Sequence, residues 1–356
     1  MTALRIGILA PCWFAVPPVR YGGIEWVVSL LADGLADAGH DVTLFASGGS
    51  VTRARLVSTY DEPPSMRIGL TLPELSHTLT AYTRATEFDV LNDHSGLLAA
   101  AMARTVSPVP ICHTIHGPLV GEPGEVYRKI AQLNPDLTFI SLSHNQRRPL
   151  PDIPWLANCP NALDLGLYPY QERKQDYLLF LGRLSAEKGA ARAAHVARRA
   201  GLPLRIAGKM HDAQERAYFA SEVEPLLGPD VEYLGEVSHD EKTDLLRHAR
   251  ATLFPISWEE PFGLVMIESM ACGTPVIATR FGAVPEVIAD GVNGMICNHE
   301  DEMVAALGRL DELDPAGIRH SIEERFSPER MVADYAAAYE RLLVPRLPRR
   351  PRPLEV

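Results

Sequence analysis

Short, almost wholly apolar runs recur along this chain, and each is followed by a segment with apolar residues at helical spacing. Residues 4–10 form the first run. Residues 23–38 follow it with Ile24, Val27, Val28, Leu31 and Leu35 on one helical face, and Gly39 stops the helix. Residues 41–46 form the next run. A strand that is apolar throughout is buried on both faces, and strand, helix, strand is the unit of a parallel sheet covered by helices. The pattern predicts further strands at 88–91, 110–115 and 137–142, with helices at 96–104 and 126–133 between them.

At 356 residues the chain exceeds one compact core and fits two domains. A polar, tyrosine-rich stretch at 158–176 marks the boundary, giving domains at 1–164 and 165–326. The second repeats the alternation, with strands predicted at 177–181, 204–207, 231–234, 251–254, 275–279 and 295–297. Residues 327–343 read as a last helix, with Ser327 as cap and Pro328 at the first position. Residues 344–356, with four prolines among four arginines, read as a disordered tail with at most weak attraction to an anionic membrane.

A net charge of −11 argues against nucleic acid as a partner, because phosphate backbones are bound by basic surfaces. The five cysteines (Cys12, Cys112, Cys159, Cys272 and Cys297) are scattered and never form a Cys-x-x-Cys pair, so they read as buried thiols of a reducing compartment. Pro11 interrupts the apolar start too early for a signal peptide. A cytoplasmic protein is expected.

The candidate site centres on 258–280. Pro261 suits a first helical position, residues 263–271 are nearly all apolar or small, and Gly273 stops the helix before a strand. Glu268 lies inside that helix, where a carboxylate needs a polar partner, either a ligand or a core salt bridge. Glu260 stands eight positions earlier, at the helix mouth. In the loop 182–189, glycines free the backbone after a strand while Arg183 offers a planar fork and Lys188 a point charge, a pairing suited to a diphosphate. Gly22 and Gly23 precede the first helix, where backbone amides can approach an anion. His94 and His116 close two strands of the first domain, a position open to structural and functional roles alike. His113 falls on the opposite face and reads as structural.

Glu-Pro-Phe-Gly-Leu-Val-Met-Ile-Glu from Glu260, Ala-Cys-Gly-Thr-Pro from Ala271, and Gly-Arg-Leu-x-x-x-Lys-Gly from Gly182 together resemble the signature of retaining glycosyltransferases of family 4. The resemblance implies the GT-B fold, two Rossmann-like domains facing across a cleft, with the last helix crossing back to the first domain. It implies a metal-independent hexosyltransferase that moves a sugar from a nucleotide-sugar to a hydroxyl acceptor with retention, and it implies no cofactor. UDP is the expected nucleotide on frequency among such enzymes. The acceptor, a saccharide, lipid-linked saccharide or small natural product, has no readable code.

By the same resemblance, Arg183 and Lys188 hold the diphosphate and Glu268 takes the ribose. Glu260 holds the donor sugar, and the amides of Phe262, Gly263, Leu264 and Val265 meet sugar and phosphate. The base sits near Val237 and Lys242, His116 lies beside the reacting sugar, and His94 lies on the acceptor side. A non-catalytic nucleotide-sugar-binding protein and a GT-B phosphorylase are the alternatives. A nicotinamide dehydrogenase would need a Gly-x-Gly-x-x-Gly fingerprint that the chain lacks.

Overall fold

The computed structural model describes residues 3–19, 22–106, 109–210 and 212–344. Strands β1 (Arg5–Leu9), β2 (Asp41–Ala46), β3 (Arg55–Ser58), β4 (Val90–Asp93), β5 (Ile111–Thr114), β6 (Thr138–Ser141) and β7 (Trp155–Asn158) form one sheet in the order β3-β2-β1-β4-β5-β6-β7. Strands β8 (Leu178–Leu181), β9 (Leu204–Ala207), β10 (Val231–Gly235), β11 (Ala251–Phe254), β12 (Val276–Thr279) and β13 (Gly294–Cys297) form a second, ordered β10-β9-β8-β11-β12-β13. Strand pairing is parallel throughout both sheets. Each sheet reverses its direction of winding next to its first strand, between β1 and β4 and between β8 and β11. Such reversals open a crevice beyond the carboxyl ends of the strands.

The central strands lie where the apolar runs predict them. β3 and β7 had no such signal, nor did the helix Thr71–Tyr82. Both strands are sheet edges, half-buried or exposed over most of their length, so their sequences mix polar with apolar residues and show no buried-strand run. The site helix also differs from expectation. It spans Leu264–Ala271, with Gly263 as its cap in a left-handed conformation at φ 85°, and Pro261 stays in the preceding loop. A side chain on Gly263 would be strained at that φ, and its Cβ would lie 2.7 Å from Met266 Cε.

The first sheet is covered on both faces. One face packs against the helices Thr71–Tyr82, Leu97–Val106 and Glu122–Leu133, and the other against the first helix, Gly23–Asp37, and the closing helix, Pro328–Leu343. The closing helix leaves the second domain at once. Phe326 belongs to the second domain's core, whereas Met331, Tyr335 and Tyr339 are wholly buried in the first. Ser327 caps it by accepting from the Arg330 amide, with Pro328 in the first turn, as the sequence predicts. The outgoing chain is tied beside it: Leu163 N donates to Phe326 O at 3.1 Å, and Arg330 Nη2 donates to Pro160 O at 2.6 Å. Of the expected tail at 344–356, residues 345–356 lie outside the described residues. Among the described residues no helix is long and apolar enough to cross a membrane.

The closing helix sits close to the first because Gly34 has no side chain. A methyl group there would overlap Val332 Cγ2, a β-branched atom that cannot swing aside. Gly34→Ala should therefore destabilise the wild type, since overpacking costs about 1–3 kcal/mol against about 1 kcal/mol gained in helix propensity. In a Val332→Ala background the same substitution should become stabilising by about 1 kcal/mol. Urea unfolding of the four chains of this cycle tests it, and an equal effect of Gly34→Ala in both backgrounds would refute the close packing.

Candidate functional site

A cavity of about 260 Å³ opens where the carboxyl ends of the two sheets meet. From the first domain it takes Gly22, Gly23 and Trp26, at the start of the helix after β1. From the second it takes Arg183 and Lys188 after β8, Lys209 after β9 and Val237 after β10. Lys242, Glu260, Gly263, Leu264, Val265 and Glu268 also line it. Two of the helices that begin here have no capping side chain: Gly22 and Gly23 open one, and Gly263 and Leu264 open the other. A third helix that begins at the cavity, His239–His248, is capped by Ser238. Uncapped first-turn amides are orphan donors, and at the positive end of a helix dipole they favour an anion.

Arg183, Lys188 and Lys242 of the cavity are each paired with a carboxylate. Arg183 Nη1 meets Glu215 Oε1 at 2.6 Å, and Glu215 is only 3% exposed. Lys188 Nζ pairs with Glu260 Oε2 and lies 4.5 Å from the Trp258 ring centre. Lys242 Nζ meets Glu268 Oε1 at 2.7 Å, and the same oxygen accepts from the Tyr168 hydroxyl at 2.8 Å. Glu268 thus has the polar partners that an apolar helix cannot supply. Trp26 of the first domain lies against His239 of the second, ring centres 5.5 Å apart, so aromatic contact spans the cavity between the domains.

Three of the expected site residues are not on this wall. The Phe262 side chain is buried and meets Phe326 edge-on at 5.7 Å. His94 and His116 lie deeper in the first domain, with His94 Nδ1 2.9 Å from His116 Nε2. His94 is 2% exposed, and its Nε2 is 2.6 Å from Asn92 Oδ1, so both ring nitrogens are engaged by the protein. Burial pushes the His116 ring down to about 3 and His94 well below the usual histidine range, which keeps both neutral. His113 turns to the opposite face, bonded to Asp93 at 2.5 Å and to the Tyr127 hydroxyl at 2.9 Å. The sequence reading missed Trp26, Lys209, Glu215 and His239. Lys209 was within reach, since it follows the strand β9 at its ligand-facing end.

Glu25, also unforeseen, lies in the first turn of the helix after β1 and is 4% exposed. Burial pushes its carboxyl up to about 7, against the opposing pull of its own backbone amide and Lys209. An acid whose folded pKa is raised gives stability at low pH that is lost as pH rises through that value. For Glu25 this window runs from about 4.5 to about 7. Glu25→Gln stays neutral throughout, so its advantage over the wild type should grow between pH 5 and pH 8 toward about 3 kcal/mol. Thermal unfolding across that range measures it, and a pH-independent difference would contradict the burial of an ionisable group there.

Residues 170–323 match the glycosyl transferases group 1 domain and residues 21–153 the glycosyltransferase family 4 domain. The chain is 27% identical to a glycogen synthase of Mycobacterium tuberculosis, an alignment covering 92% of this chain and 91% of that protein. Among solved structures it is similar to AviGT4, a glycosyltransferase involved in avilamycin A biosynthesis, at 26% identity and TM-score 0.71 over 96% of this chain and 98% of that one. Anabaena Alr3699/HepE in complex with UDP-glucose has the same fold at TM-score 0.74 and 18% identity, over 95% of this chain and 100% of that one. With its two parallel sheets and the crevice between them, the chain belongs to the family 4 glycosyltransferases and has the GT-B fold.

Proposed function

We propose that this glycosyltransferase takes its sugar from a nucleotide-sugar with UDP as the nucleoside diphosphate and passes it to a hydroxyl acceptor with retention at the anomeric carbon, without a metal ion. The observation that carries the reading is the convergence of two uncapped helix starts, Arg183 and Lys188 on one cavity. That is a site for a diphosphate. The complex of Alr3699/HepE with UDP-glucose supports UDP as the nucleotide.

The reaction breaks the bond from the anomeric carbon to phosphate, leaving positive charge on the sugar and negative charge on the diphosphate. Arg183, Lys188 and the amides around Gly23 and Leu264 meet that growing negative charge, so they favour the transition state over the ground state. The acceptor oxygen bonds to the same face of the carbon, and its proton leaves with the departing phosphate oxygen. Glu260 takes donor-sugar hydroxyls and Glu268 the ribose, with the base beside Val237. His116 acts beside the reacting sugar.

Arg183→Ala and Lys188→Ala should each weaken UDP binding by about tenfold or more, since each removes a charge-assisted contact. Glu268→Gln should chiefly lower donor affinity, and Glu260→Gln should chiefly lower turnover, because the sugar's orientation matters most as its bond opens. Calorimetry with UDP and initial rates of UDP release from UDP-glucose separate these effects. Unchanged UDP affinity in both cation variants would refute the diphosphate assignment.

Turnover should survive EDTA, since helix amides and two cations meet the diphosphate charge. Loss of activity in EDTA with rescue by magnesium or manganese would defeat the metal-free reading. Proton NMR of the product should show the donor's anomeric configuration, and an inverted anomer would defeat retention.

A further inference from the structure

The pair formed by buried His94 and half-buried His116 is more tightly specified than a structural role requires. Asn92 is wholly buried, and its Nδ2 donates to Thr114 Oγ1 at 3.0 Å and points toward the Cys112 carbonyl at 3.4 Å. With the amide reversed, its oxygen would face that carbonyl, two acceptors together, so the Cys112 carbonyl decides the orientation. Asn92 Oδ1 is then left to accept from His94 Nε2 at 2.6 Å and from the Tyr339 hydroxyl at 3.2 Å. An amide oxygen only accepts, so His94 carries its proton on Nε2. A neutral imidazole with one N–H has its lone pair on the other nitrogen, and His94 Nδ1 therefore accepts from His116 Nε2 at 2.9 Å.

We infer that Asn92 and His94 are positioning residues that fix the tautomer of His116, keeping the proton on Nε2 and leaving the Nδ1 lone pair to accept a hydrogen bond from a substrate hydroxyl. This rests on the reading of His116 as a residue beside the reacting sugar. An imidazolium on His94 would set its Nδ1–H against the Nε2–H of His116, and burial holds both rings neutral. From the opposite face of the sheet, His113 disfavours a positive charge on either ring and Asp93 favours one on His116. Among the described residues no hydrogen-bond partner meets His116 Nδ1.

The loop that carries His116 is fixed to the donor side. Gln146 Nε2 donates to Ile115 O and Gly117 O, each at 2.8 Å, and bridges the backbone around the histidine. Ser143, which caps the Gln146 turn, donates its hydroxyl to Pro261 O at 2.8 Å, next to Glu260. At the other end the relay begins on the closing helix, through Tyr339. The Tyr335 ring lies 5.9 Å from that of His94 and covers it. Hydrogen bonds therefore run from the closing helix through Asn92 and His94 to the ring of His116.

The test uses the full-length chain with 15N-labelled histidine, the His116→Ala spectrum serving to assign the resonances, together with UDP release from UDP-glucose. In the wild type at pH 7, His116 should be neutral and protonated on Nε2. His94→Leu removes the acceptor, and His116 should shift toward the Nδ1-protonated form, with turnover falling about tenfold or more and UDP affinity holding within about twofold. His94→Gln, whose amide oxygen can accept the same proton, should restore both the tautomer and most of the rate. A wild-type His116 protonated on Nδ1, or charged at pH 7, overturns the inference whether or not any variant folds. A His94→Leu protein that changes tautomer yet turns over at the wild-type rate also overturns it. Wild-type turnover in His116→Ala removes His116 from the reaction itself, a failure of the site reading that the tautomer measurement keeps separate.

Discussion

Parallel pairing forces the loop after each strand to leave its sheet on one side, and the site follows from that constraint. In the first sheet those loops carry Gly22, Gly23, His94 and His116, and in the second Arg183, Lys188, Lys209, Val237 and Glu260. Because each sheet winds outward from its first strand, the loops after β1 and β4, and after β8 and β11, part and leave room for a ligand. Only the facing of the two edges remains to be fixed. The closing helix does this by burying Met331 in the first domain five residues after Phe326, which still packs in the second core, with Tyr335 and Tyr339 following. So short a connection leaves little slack.

Within that frame the electrostatics are those of a site arranged for exchange. Arg183, Lys188 and Lys242 each have a carboxylate partner, and Glu215, Glu260 and Glu268 are all less than a tenth exposed. The two lysine pairs, mostly buried on both sides, contribute little net stability, since desolvation offsets most of their attraction, whereas removing one partner costs about 3–5 kcal/mol; Arg183 keeps 35% of its side chain exposed. They are better read as holding the cations in place. A diphosphate carrying two negative charges, with helix amides behind it, can compete for Arg183 and Lys188 because it brings its own replacement for the carboxylate. Lys242 differs. Its partner Glu268 also accepts from Tyr168, so this corner keeps its shape and offers the second Glu268 oxygen to a ligand hydroxyl.

What the sequence showed and what it hid divide on physical grounds. Buried parallel strands and capped helices leave local marks, which is why β1, β2, β9 and β11 and the closing helix were legible. The edge strands β3 and β7 were hidden because half-buried strands need no continuous apolar run. Arg183, Lys188 and Glu260 were legible because they sit in glycine- and proline-marked loops at strand ends, Glu268 because it is a carboxylate within an apolar helix, and all four reach one cavity. Glu215, on a short helix near the cavity, carries no local sign that it will meet Arg183. Nor could any spacing reveal that His94 would be sealed between Asn92 and His116, since that depends on the register of β4 against β5.

That register links the fold to its chemistry. β4 and β5 pair Asn92 with Cys112, and the Cys112 carbonyl therefore stands beside the Asn92 amide. One residue of slip would turn Asn92 to the opposite face, toward the aromatic cluster of His113, Tyr127 and Phe139, and the relay could not form. The hydrophobic cores on the two faces specify the register much more strongly than a single amide could, because slippage would expose every buried side chain of the strand. The orientation of one buried amide, and through it the proton on His116, is thus a by-product of core packing that the closing helix then covers. A site supported in this way needs no mobile side chain to hold its tautomer, which keeps it independent of what occupies the cavity.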